Sequence, residues 1–250
     1  MKKNKSIFWY VLSVVLFIVI WEVSSRLYDS AIIFPGPVPV IRKIIDFFGN
    51  ERFYPILVST FLRVLSGMII SVPAGLAFGL IAGIDRRAAA FFSPLFSFIS
   101  ATPVMSIILI AFLFFGAERT PAFTAFLMIF PVMAANASEG IRRMDPHLKE
   151  LFTVYNMSSK ERLRFLYIPS IMPFVLGGIK SSLSLCWKVI VAAEVLVQPF
   201  LGIGTGMQQA RARLETPELF AWTLVTVILA ALFQGLLELA LWLLSKKRGR

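Results

Sequence analysis

Apolar residues in this chain run in long blocks rather than alternating with polar ones. Six blocks stand out, at about 7–27, 58–83, 91–116, 119–137, 172–197 and 218–244, and charges and turn formers gather between them. A block longer than about 18 apolar residues can cross the roughly 30 Å hydrocarbon core of a bilayer as a helix. A spanning helix satisfies its own backbone hydrogen bonds where no water can. The pattern therefore predicts an all-α, polytopic membrane protein of about six transmembrane helices, forming a single transmembrane domain over 1–250. The opening Lys2-Lys3-Asn4-Lys5 has the basic start of a secretion signal. Ile7 to Ile20 then runs into Trp21-Glu22-Val23 without a small-x-small cleavage site, so the first block is expected to remain as a span.

Composition agrees with that class. Of 250 residues 58% are hydrophobic and only 16% charged, against about half and a quarter in soluble domains; mean hydropathy is +0.79. The net charge of +11 would suggest a nucleic-acid partner in a soluble chain. Here the basic residues sit at block ends, with no folded basic domain or aromatic-basic interleaving, so they orient the spans instead. Lys2, Lys3, Lys5, Arg86, Arg87, Arg142, Arg143, Lys149, Lys160, Arg162, Arg164, Lys246, Lys247, Arg248 and Arg250 fall on one side. Arg26, Arg42, Lys43, Arg52, Arg119, Arg211 and Arg213 fall on the other. The richer side is predicted to be cytoplasmic and to hold both termini. The single cysteine, Cys186, lies in an apolar block, excludes an intrachain disulfide and reads as a small buried hydrophobe.

Several blocks carry signs of their packing. Gly67, Ser71, Gly75, Gly79 and Gly83 recur every four residues, keeping small residues on one helical face where a neighbouring backbone can approach. Pro94 and Pro103 each remove an amide donor and are expected to bend or break the third span, making Pro103 a candidate lining of a membrane path. The outer segment 28–57 opens with Phe34-Pro35-Gly36-Pro37-Val38-Pro39, expected to be non-helical, and Val40 to Phe48 then reads as a short surface helix. Lys180, Ser184 and Lys188 are spaced by four along the fifth block and share a stripe. Lys180 is expected to snorkel to the cytoplasmic surface. Lys188 is deeper and either faces a path, where it would favour anions, or pairs with a carboxylate of another span. Glu194 is a candidate for an outer gate or for an ordinary helix-helix pair.

Residues 138–171 are the one long hydrophilic stretch on the cytoplasmic side. Asp145-Pro146 suits a helix start, His147 to Tyr155 the helix, and Asn156 a left-handed end. Ser158 or Ser159 is expected to cap a second helix, Lys160 to Tyr167, closed by Pro169. Apolar residues left over on these two short helices form a surface that needs a partner.

This loop carries a spaced frame. Glu150-Leu151-Phe152 is followed after three residues by Asn156 and, after nine more, by Leu166-Tyr167-Ile168-Pro169. The frame resembles the cytoplasmic signature of bacterial ABC importer permeases, E-A-A-x₃-G-x₉-I-x-L-P. Leu151 and Phe152 stand where that family has alanines, and Asn156 where it has glycine. Asparagine for glycine is mild, since both tolerate positive φ, whereas Phe152 enlarges the presented face. Ser59-Thr60-Phe61-Leu62-Arg63-Val64-Leu65-Ser66-Gly67, Met144-Asp145-Pro146 and Ala192-Ala193-Glu194 are also similar to the family, closest to its nitrate, sulfonate, taurine and thiamine-precursor branch.

The resemblance implies a permease in the bacterial inner membrane, with Asp145, Glu150, Leu151, Phe152, Asn156, Leu166, Ile168 and Pro169 in a two-helix coupling loop. It implies a second permease copy, two ATPase subunits that bind ATP and Mg, and an external solute-binding protein. No cofactor is expected in this chain, which has no G-x₄-G-K-[S/T] phosphate loop. Gly177-Gly178-Ile179-Lys180-Ser181 lacks that motif's first glycine, and Gly202-Ile203-Gly204-Thr205-Gly206 reads as an outer turn. His147 is the lone histidine and makes a metal site unexpected. Enzymatic chemistry within the chain is not expected. The alternative is an ion-gradient-driven secondary transporter, for which inverted repeats and mid-membrane carboxylates are the missing signs.

Overall fold

A computed structural model describes residues 2–28, 30 and 32–248. The side chains of Lys2, Lys3, Lys5, Lys149, Ser159, Lys246, Lys247 and Arg248, and the whole of Arg250, lie outside what is described. The described elements are helical throughout: α1 (Lys2–Tyr28), α2 (Pro37–Phe48), α3 (Phe53–Ile84), α4 (Arg86–Ala101), α5 (Val104–Arg142), α6 (Pro146–Val154), α7 (Ser159–Glu161), α8 (Ile168–Val197), α9 (Ile203–Ala212) and α10 (Thr216–Arg248). A π-helical turn, Arg162–Tyr167, joins α7 to α8. Five described helices are long and apolar enough to cross a membrane, at Phe8–Tyr28, Phe53–Ile84, Val104–Arg142, Arg162–Val197 and Thr216–Leu241.

The expected blocks 91–116 and 119–137 are partitioned differently. Thr102 and Pro103 interrupt the helix, so α4 ends at Ala101 and α5 begins at Val104. Pro94 by contrast sits inside α4 without ending it. Within α5, Gly116 adopts φ 68 and ψ 178, a backbone state that suits glycine and turns the chain back on itself. Ile107 and Leu127 line the same cavity of about 610 Å³, although a straight helix would separate them by about 30 Å. Residues 104–115 and 117–142 are thus two limbs packed side by side.

The core lies among α3, the second limb of α5 and α8. The small-residue stripe of α3 faces α5. A Cβ on Gly75 would stand 2.4 Å from Met133 Cβ, one on Gly79 2.4 Å from the Ala134 carbonyl oxygen, and one on Gly83 2.7 Å from Ile141 Cβ. On Gly67 it would meet Ala125 Cβ at 3.2 Å. The separations at Gly75, Gly79 and Gly83 leave no room for a Cβ, so the two backbones approach closely along this stripe. Val64, Ile129, Met133, Leu183, Cys186 and Ile190 fill the space between.

Helix α2 begins at Pro37, earlier than the proline-rich sequence suggests. Its first-turn amides lack intrahelical acceptors anyway, so Pro37 and Pro39 cost nothing there. Its inner face buries Val40 and Phe47, the latter 4.3 Å from the Trp222 ring of α10, and Lys43 pairs with Glu215 at 2.9 Å. That hydrogen bond raises the Lys43 pKa and holds the Glu215 carboxyl below the usual glutamate range. Among the described residues, helix α1 joins the body near its C-terminal end, where Trp21 Nε1 donates to the Pro35 carbonyl at 2.9 Å and Ser25 Oγ to the Phe34 carbonyl at 3.0 Å.

Candidate functional site

The segment after α5 is two short helices with well-defined ends. Asp145 Oδ1 accepts from the His147 amide at 2.9 Å, capping α6 directly before Pro146. Asn156 takes φ 47 beyond the end of α6, and the Met157 amide reaches back to the Phe152 carbonyl at 3.2 Å. That reach across five residues around a left-handed residue is a Schellman stop. Ser158 caps the next helix, its Oγ and amide bonding Glu161 Oε2 at 2.7 and 2.8 Å. The donors hold the Glu161 carboxyl below the usual range.

Pro169 does not close that second helix. It is the second residue of α8, which continues from the π turn into the membrane. The turn's wider register, with the Ile168 amide bonded to the Leu163 carbonyl five residues back, makes room where the proline ring would strike an α turn. Leu166 is buried, while Asp145, Glu150, Asn156, Ile168 and Pro169 are exposed and Phe152 is half-buried. Leu148, Leu151 and Val154 lie uncovered on α6 and Tyr155 just beyond it, with Leu163 and Phe165 uncovered beside them. The larger face at Leu151 and Phe152 is therefore presented mainly by Leu151, and the most open apolar positions are Val154 and Tyr155, 78% and 72% exposed.

Helix α8 runs from this segment through the core. Its exposed residues from 173 onward are Pro173, Gly177, Ser181, Ser184, Lys188 and Ala192, all on one stripe. No large apolar side chain is among them, whereas α10 exposes Val227, Ile228, Leu232, Leu236 and Leu239. Lys180 does not merely snorkel: it is half-buried and pairs with Glu238 of α10 at 3.0 Å. Lys188 makes no ion pair among the described residues. A cation at membrane depth costs about 2.5–3.5 kcal/mol against lipid, so this face of α8 is turned toward water or protein. Pro103 is also exposed, at the head of α5.

Glu194, six residues beyond Lys188, faces about 120° away around the helix and is fully buried. Thr60 Oγ1 donates to it at 2.9 Å, Arg63 Nη1 at 2.7 Å and the Gly204 amide at 3.0 Å. Arg63 also donates to the Leu201 carbonyl at 2.6 Å and to Glu118 Oε2 at 2.6 Å. Glu118 in turn accepts from the Phe200 amide at 2.7 Å. Segment 202–206 is not a simple turn: it leads into α9, and a Cβ on Gly202 or Gly204 would stand 2.7 or 2.6 Å from Glu194 atoms. Glu194 thus locks α3, α8 and the α8–α9 loop together and does not line an open surface. Thr60, Glu118 and the Leu201 carbonyl were not singled out from sequence; the available signal was Arg63 and Glu194, opposite charges in two apolar blocks.

With this architecture in view, residues 75–248 match the family described as binding-protein-dependent transport system inner membrane component, and the chain belongs to that family. It is 26% identical over 208 residues to the bicarbonate transport system permease protein CmpB of Synechococcus elongatus, covering 75% of this chain and 71% of that one. It is 27% identical over 240 residues to the formylaminopyrimidine transport permease protein ThiX of Halalkalibacterium halodurans, covering 93% and 92%. Taurine transport system permease protein TauC of Escherichia coli is 25% identical over 239 residues, covering 93% and 85%. The chain is a multi-pass inner-membrane permease of an ABC importer, not an ion-gradient-driven transporter. Membership implies an ATPase and a solute-binding protein as partners.

Proposed function

We propose that two copies of this chain form a solute path between their α8 faces, opened and closed by a pair of ATPase subunits docked on residues 143–167. The carrying observation is the uncovered apolar surface of Leu151, Val154, Tyr155 and Leu163 among the charged residues of this segment. Water-facing apolar surface of this kind marks a protein contact. The π turn and α8 form one continuous backbone from that contact to Lys188, so a displacement of the docked segment reaches the path through a rigid rod. ATP and Mg bind in the partner, which performs the hydrolysis.

In this reading the chain crosses the membrane six times, α4 with the first limb of α5 making one crossing and the second limb the next, with both termini cytoplasmic as the basic residues favour. The solute is small and polar, of the kind named for the relatives: bicarbonate, taurine or a formylaminopyrimidine. Exchanging Val154 and Leu163 for Asp tests the docking surface. Co-purification of the ATPase is expected to be lost while the permease still inserts. Retention of stoichiometric ATPase by that inserted variant refutes the assignment.

A further inference from the structure

We infer that Lys188 makes the transport path selective for anions, the solute carrying a carboxylate, sulfonate or comparable oxyanion group. The inference rests on the proposed path along α8. Every exposed position on this helix from Pro173 to Ala192 is small or polar except the ammonium-bearing Lys188. The other cation of the helix, Lys180, is neutralised by Glu238 at 3.0 Å, and Arg63 is neutralised by Glu194 and Glu118 at 2.7 and 2.6 Å. Lys188 alone keeps its charge uncompensated among the described membrane-depth cations, on the face that the core leaves open.

An ammonium is a compact point charge with three rotatable donors, suited to an oxyanion of variable shape. In a dimer the two Lys188 groups would face the same path, and an anion between them relieves their mutual repulsion. Ser184, one turn toward the cytoplasm and exposed on the same stripe, offers a hydroxyl donor for a second oxygen. No carboxylate lies on this stripe to hold a cation or to cancel the field.

The test needs no knowledge of the solute. In the permease–ATPase complex carrying Cys186→Ala, Ser184→Cys places a thiol about 5–6 Å from the position-188 side chain. Its modification rates are measured with anionic 2-sulfonatoethyl and cationic 2-trimethylammonioethyl methanethiosulfonate, each normalised to free cysteine. A unit charge at that distance in water-like surroundings favours the anionic reagent about tenfold in the rate ratio. That preference is expected with Lys188 and is expected to vanish in Lys188→Met or, should that variant fail to assemble, Lys188→Gln. Reaction with both reagents at an unaltered ratio overturns the anion inference and leaves the path standing. Failure of both reagents to react in an assembled complex overturns the path itself.

Discussion

Arg63 lies at the centre of the lock on Glu194, and its removal separates the cost of an orphaned charge from the loss of ordinary contacts. Arg63→Met keeps much of the side-chain volume but leaves the Glu194 carboxylate, fully buried, without its cation. Breaking one half of a buried pair costs about 3–5 kcal/mol. Glu118 is 59% exposed at its side chain, so losing that second pair adds little. At about 2–4 °C per kcal/mol for a domain of this size, the unfolding midpoint should fall by about 6–20 °C. Adding Glu194→Gln removes the stranded charge yet keeps an oxygen for Thr60 and the Gly204 amide. The residual loss should then be about 1–3 kcal/mol, set by the lost Arg63 hydrogen bond to the Leu201 carbonyl, which keeps only the Ser59 hydroxyl as donor. Thermal unfolding of the purified complex, followed by the size-exclusion profile of tagged permease, reads both variants. A fall below about 3 °C for Arg63→Met, or a double variant no more stable than the single, refutes the charge argument.

Gly79→Ala would place a Cβ 2.4 Å from the Ala134 carbonyl and 2.7 Å from Ala137 Cβ; the forced separation should cost about 1–3 kcal/mol and be seen as a lowered melting temperature. Gly235→Ala, with nothing within 4 Å, should leave that temperature unchanged or slightly raised. The Glu161 carboxyl is held below its usual value of 4.5 by Ser158, so the cap is intact above that pH and lost as pH falls through the lowered folded value. Amide-exchange protection at residues 160–162, compared with Glu161→Gln, should converge between the two proteins at low pH and differ near neutrality.

The membrane class and the small-residue stripe were legible because both depend on local periodicity. Spacing by four along Gly67 to Gly83 needs no partner to be recognised, though nothing in it identifies residues 125–141 as the surface it meets. Asp145, Asn156 and Ser158 were legible for the same reason, since each end signal acts within five residues. Pro169 was misread because proline ordinarily ends an α-helix, and the π turn that accommodates it has no comparable local signature. The lock was only half legible. Arg63 and Glu194 are visible as rare charges in apolar blocks, but their pairing across 131 positions is fixed by the fold. Gly116 was a block boundary in the sequence; its left-handed backbone explains why one unbroken stretch, 104–142, folds as two limbs.

The central claim is that solute movement through this chain is driven by ATP hydrolysed in a partner docked on residues 143–167. The most direct measurement is uptake into proteoliposomes containing the permease, its co-purified ATPase and the solute-binding protein from the same operon, loaded with that protein's ligand. Uptake is expected only with ATP and Mg inside the ATPase-accessible compartment, unchanged by ionophores, and abolished by Val154→Asp with Leu163→Asp. Uptake that proceeds without ATP and collapses when ion gradients are dissipated contradicts the account.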